Sequence, residues 1–130
     1  MSTSIRATRH VYALDCPDAA ALAQFYARLL GWRADSSEED PDWVDVVPPQ
    51  GESPGFSIAC QEVPDYRAPD WPTGPIPQQA HLDLYVDSIA EAAPLAEAAG
   101  AVRHEVQPSE EGTFMVFLDP AGHPFCLCEN

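Results

Sequence analysis

Four side chains near the end of this sequence have types and spacings suited to chemistry. They are His81 and Asp83 in "HLDL", and Cys126 and Cys128 in "FCLC". Each pair is separated by one residue, so on extended chain both members fall on one side. An imidazole beside a carboxylate is an acid–base pair. The carboxylate orients the ring, and a histidine titrating near neutrality can act as general base. A thiolate can bind zinc or another soft ion, yet cysteine is also a much-buried type that packs as a small hydrophobe. C-x-C on a strand lacks the geometry of an established zinc motif, and Cys16, Cys60, Cys126 and Cys128 form no C-x-x-C. The first half adds His10, Gln61 and Asp15 as polar candidates.

The elements that must hold these groups recur twice. In the first half "RHVYALDC" reads as a strand, followed by "PDAAALAQFYARLLGW", where Leu22, Phe25, Tyr26, Leu29 and Leu30 recur at helical spacing. Asp18 is placed to cap that helix and Gly31 to end it. Three β-like runs follow: "WRAD", "WVDVV" and "FSIACQ". The second half repeats the order. "HLDLYVD" reads as a strand and "SIAEAAPLAEAAG" as a helix, with Ser88 and Glu91 at capping-box spacing. Pro94 should kink that helix. The runs "VRHEV", "TFMVFL" and "PFCLCE" then close the chain, with "DPAG" as a turn. Each half is β-α-β-β-β, and neither could bury its sheet face alone. The expectation is one α+β domain over 1–130, made of a module at 5–61, a linker at 62–79 and a module at 80–130. The linker carries five prolines and the aromatics Tyr66 and Trp71. It is too proline-rich for a helix or central strand and should pass over the surface or a cleft mouth.

Composition limits the partners. Twenty-one acids against 6 bases give a net charge of −15 over 130 residues, with 45% hydrophobic residues. That surface repels phosphate backbones, so neither nucleic acid nor an anionic membrane is an expected partner. A neutral or cationic small molecule is easier to admit. No apolar run approaches the roughly 18 residues of a membrane span, and the N-terminus lacks a signal-like apolar core. The expected location is therefore cytoplasmic, with reduced thiols.

The segments "LDCPDAAALAQFYARLLGW", "PQQAHLDLYVDSIAEA" and "FLDPAGHPFCLC" resemble the vicinal oxygen chelate superfamily, which includes glyoxalase I, bleomycin-resistance proteins and extradiol dioxygenases. The resemblance covers nearly the whole chain. It implies two tandem βαβββ modules forming a curved mixed sheet around a cleft. It also implies, in metal-using members, a divalent ion held by His, Glu or Gln from the first and last strands of each half, acting as a Lewis acid. The first such position is six residues before Pro17, which is Val11 and not His10. The second is Ala59, with Gln61 sharing its side. The third is His81. The fourth is seven residues beyond Asp119, which is Cys126, and Glu129 has the wrong parity to replace the lost carboxylate. Only His81 matches, so no cofactor is the expectation. A divalent ion on His81, Gln61, Cys126 and His10 is the alternative.

Without an ion the cleft becomes mostly apolar: Val11, Ala13, Asp15, Ala59, His81, Asp83, Tyr85 and Cys126. That composition suits a small-molecule pocket. Trp43, Phe56, Tyr66 and Trp71 could stack on a planar ligand, and Asp15 and Asp83 would favour positive charge. The expected function is metal-independent capture of a small organic molecule, aromatic or cationic, with antibiotic or metabolite sequestration as its use. The alternative is an enzyme of the superfamily, a lyase, isomerase or dioxygenase, either metal-dependent or using His81 as general base with Asp83 orienting it. A third class is an assembly module with its cleft filled by its own side chains. The resemblance also implies a homodimer.

Overall fold

The computed structural model describes residues 4–130, so the first three residues of the expected 1–130 domain lie outside the described residues. The chain divides into two compact units, Met1–Val63 and Pro64–Asn130. The first holds β1 His10–Cys16, α1 Ala19–Leu30, β2 Arg33–Ser36, β3 Trp43–Val47 and β4 Phe56–Glu62. The second holds β5 Leu82–Tyr85, α2 Ile89–Ala99, β6 Val102–Arg103, β7 Phe114–Leu118 and β8 Pro124–Cys128. Each unit has one four-stranded mixed sheet, ordered β1-β4-β3-β2 and β5-β8-β7-β6. The pairs β1–β4 and β5–β8, at one edge of each sheet, are parallel and the others antiparallel. The α+β class and the doubled β-α-β-β-β order agree with the sequence.

Helix α1 forms because its apolar residues fall on one stripe: Leu22, Phe25 and Tyr26 are buried, worth about 1.5–3 kcal/mol each. Asp18 accepts from Ala21 N–H at 3.0 Å, and Gly31 ends the helix in the left-handed region at φ 68°. In α2, Ser88 accepts from Glu91 N–H at 3.2 Å. Pro94 lies inside α2, and the helix runs on to Ala99. Both helices share a second device. Glu62, ending β4, accepts from Ala19 N–H at 3.0 Å, and Glu129, just past β8, accepts from Ile89 N–H at 3.1 Å. A carboxylate there satisfies an orphan amide and meets the positive end of the helix.

Strand parity then fixes what each sheet presents. In the first unit Leu14, Cys60 and Val44 lie in register and are buried. The opposite face carries Val11, Ala13 and Asp15 beside Ser57, Ala59 and Gln61. In the second unit Leu82, Phe125 and Phe117 share a rung, with the two phenylalanine rings stacked at 5.6 Å. The alternate rungs hold Asp83, Cys126 and Val116, then Tyr85, Cys128 and Phe114.

Two details differ from the sequence reading. The run "VRHEV" pairs only over Val102–Arg103 in β6, with one further bond from His104 N–H to Val116 O. Val106 N–H then bonds to His104 Nδ1 at 2.9 Å, an alternative to ladder pairing that turns the chain away. The proline-rich stretch, read as a linker over 62–79, falls almost wholly within the second unit. It is structured: Asp70 bridges to Pro77, its N–H bonds to Ile76 O, and its Oδ2 accepts from Ile76 N–H at 3.0 Å. Among the described residues no helix is long and apolar enough to cross a membrane.

Candidate functional site

The second unit contains a cavity of about 410 Å³. Its floor is the face of the sheet that carries Asp83, Cys126 and Val116 on one rung and Tyr85, Cys128 and Phe114 on the next. Alternation on β5, β7 and β8 puts those six side chains on one side. Trp71 and Gln78, from the proline-rich segment, also line it. His81 stands just before the first residue of β5 and lines the same space.

His81 Nδ1 lies 2.9 Å from Asp83 Oδ1, and the two side chains are 44% and 41% exposed, so solvent reaches both. An ionised carboxylate only accepts, so Nδ1 carries the hydrogen and the neutral ring presents Nε2 as an acceptor. Asp83 also faces Cys126 across the β5–β8 pair, with a carboxylate oxygen within 4.8 Å of the Cys126 Sγ. Burial first, then the Asp83 charge, push the Cys126 thiol up to about 12 from an ordinary 9.0. Burial and the Asp83 charge also raise Cys128. Both thiols are therefore protonated and weakly nucleophilic at neutral pH.

The ion implied by the resemblance can be tested against these donors. His81, Asp83 and Cys126 bring one nitrogen, one oxygen and one sulfur within 4.8 Å of one another. Asp83 is already engaged by His81. The centre implied by the resemblance draws His, Glu or Gln from four strand positions, and three of those hold Val11, Ala59 and Cys126, so its imidazole-and-carboxylate ligand set is not reproduced here.

Of the residues singled out by sequence, the structure gathers Trp71, His81, Asp83, Tyr85 and Cys126 around this cavity. Val11, Asp15, Ala59 and Trp43 lie on the first unit's sheet. Val11 is 41% exposed, Ala59 is buried, and the Trp43 indole N–H donates to Asp45 Oδ1 at 3.0 Å. His10 opens β1 and is exposed, and Gln61 is an exposed residue of β4.

Two assignments are corrected. Phe56 is in register with His10, on the parity opposite to Val11 and Ala59, and its ring packs edge-on against Trp32 at 6.2 Å. Tyr66 does not line the cavity. Its hydroxyl donates to Ala121 O at 2.8 Å and lies 3.2 Å from His123 Nε2, which ties the proline-rich segment to the β7–β8 turn. Glu129, rejected on parity as a replacement ligand, is bonded to the N-terminus of α2 and also reaches the cavity lining.

Sequence reasoning missed Phe114, Val116 and Gln78. The first two were within reach, because "TFMVFL" alternates and pairs antiparallel with "PFCLC". No periodicity marks Gln78, which lies in irregular chain.

With the geometry described, comparison with known proteins gives consistent results. The glyoxalase-like domain model matches residues 12–128. No curated protein matches by sequence. Among solved structures, a hypothetical protein from S. aureus, SA1046, is 19% identical with a TM-score of 0.63, covering 97% of this chain and 98% of that one. TnmS3, an antibiotic binding protein from Streptomyces sp. CB03234, is 17% identical with a TM-score of 0.63, covering 99% and 98%. The fosfomycin resistance protein FosX from Listeria monocytogenes is 15% identical with a TM-score of 0.65, covering 100% and 93%. At these identities the likeness is one of fold.

Proposed function

The chain belongs to the glyoxalase-like domain family, and from that premise we propose that it captures a small organic molecule, without a metal ion, in the cavity of its second unit. The observation that carries this reading is the cavity's lining. Trp71, Tyr85, Phe114 and Val116 supply apolar surface, Asp83 and Glu129 supply carboxylates, and no Lys or Arg takes part. A flat ring with a positive charge suits that combination, since aromatic faces attract cations by about 0.5–2 kcal/mol and the carboxylates complement the charge. The chain's similarity in fold to an antibiotic binding protein and to a fosfomycin resistance protein supports sequestration of an antibiotic or metabolite as the use. The working form in this reading is a cytoplasmic homodimer, and a monomer by light scattering would remove that part.

The test is a thermal-shift titration in chelator with tryptamine and indole-3-acetate, which share a ring and differ in charge. The melting point should rise with tryptamine concentration, as mass action requires, and not with the acid. No stabilisation by tryptamine, or stabilisation only after a divalent ion is added, would overturn the reading.

The 2.9 Å contact between His81 and Asp83 favours one second reading: His81 as general base toward a carbon acid, oriented by Asp83. A bound carbon acid would then exchange hydrogen for deuterium in heavy water, and exchange would cease in His81→Ala. Capture alone returns the ligand unlabelled.

A further inference from the structure

We infer that Gln78 selects ligands that carry an N–H donor. This rests on the capture reading above and adds the atom that reads the ligand. Gln78 Oε1 is buried, with no hydrogen-bond partner among the described residues. A buried amide oxygen without a donor is costly, and folded chains retain few of them. This one does not belong to the hydrophobic core. Gln78 is half-buried and lines the 410 Å³ cavity. It also lines an adjoining cavity of about 280 Å³ with Asp70, Thr73 and Pro77. Gln78 and Trp71 are the two residues common to both, so they form the partition between them.

Acceptors flank that partition: Asp83 and Glu129 on one side, Asp70 on the other. Among the described residues neither lining includes Lys or Arg, so a ligand N–H can serve as the charged donor that these side chains do not supply. The segment that carries Gln78 is held by its own bonds. Asp70 closes the loop through its bonds with Ile76, and a Cβ added at Gly74 would lie 2.3 Å from Asp70 Cβ. The ligand class is an ammonium, or a ring N–H cation, on a flat apolar body. A quaternary ammonium of the same shape brings the charge but no hydrogen for Oε1.

The experiment is isothermal titration calorimetry of the full chain with tryptamine and with its N,N,N-trimethylammonium analogue. Both are measured on the unaltered protein and on Gln78→Met. The unaltered protein should prefer tryptamine about tenfold, the value of one charge-assisted hydrogen bond net of desolvation. Gln78→Met should bind the two probes within about twofold. Without ligand it should resist urea at least as well as the unaltered protein, since the unpaired oxygen is gone. Gln78→Glu keeps an acceptor and should keep the preference, which separates loss of the bond from loss of packing. A preference that persists in Gln78→Met, or is absent from the unaltered protein while both probes bind, overturns the Gln78 assignment and leaves the capture reading standing. If neither probe binds the unaltered protein, the capture reading falls and the inference falls with it.

Discussion

Asp83 Oδ1 lies 2.9 Å from His81 Nδ1, and the same residue stands in register with Cys126 across the β5–β8 pair. One carboxylate thus organises the polar end of the cavity. It fixes the imidazole, adds to burial in holding the thiol proton and sets a negative charge beside an aromatic wall.

Asp83→Asn keeps the shape of that carboxylate and removes its charge. Affinity for tryptamine should fall about tenfold, in line with a lost charged contact of about 1.5 kcal/mol. Affinity for the neutral 3-methylindole should change little. Fluorescence titration, with Trp71 at the cavity, reads both. Equal losses for the two probes would mean that Asp83 acts through packing instead of charge.

The raised thiols give a pH signature. An ordinary thiol is about one-tenth ionised at pH 8, whereas one at about 12 is ionised about one part in ten thousand. Iodoacetamide should therefore label Cys126 slowly at pH 8, and Asp83→Asn should speed it, as followed by mass spectrometry. The folded chain holds this proton to higher pH than the unfolded chain does. Its contribution to stability is therefore full below about pH 9 and declines as pH rises toward 12. Rapid labelling of Cys126 at pH 8 would contradict the arrangement.

Glu62 and Glu129 each hold the first amide of a helix. Glu62→Ala and Glu129→Ala should each lower unfolding stability by about 1 kcal/mol, as the loss of a helix N-terminal partner does, measured as a shift in urea midpoint. Glu129→Ala should also weaken tryptamine binding, because Glu129 lines the cavity, while Glu62→Ala should leave binding unchanged.

At the β7–β8 turn, Gly122 has φ +90°, and a Cβ there would lie 2.8 Å from Ala68 Cβ. Gly122→Ala should cost about 1–3 kcal/mol through strain and contact. Because Ala68 belongs to the proline-rich segment that also carries Trp71 and Gln78, probe affinity should fall with it. Urea denaturation and calorimetry together test this.

The repeated module was legible because helical and strand periods are written in apolar residues such as Leu22, Phe25 and Tyr26. Terminal residues such as Asp18, Ser88 and Gly31 marked where each helix begins and ends. Parity ordered His81, Asp83 and Tyr85 on one side, and the family resemblance put Cys126 in the same cleft. The corrected residues fail for a different reason. Phe56 and Tyr66 look like ligand-stacking aromatics, but which neighbour a ring meets depends on register and on long-range contacts. Phe56 finds Trp32, and Tyr66 finds the Ala121 carbonyl. Gln78 was invisible because its significance is a missing partner, which no sequence pattern records.

The most direct measurement is calorimetric titration of tryptamine into protein dialysed against chelator and then checked by elemental analysis for zinc, nickel, manganese and iron. The account predicts one saturable binding event per chain with no stoichiometric metal, unchanged when zinc or nickel is restored. Binding that appears only with an added ion, or a stoichiometric metal retained through chelation and lost in His81→Ala, would contradict it.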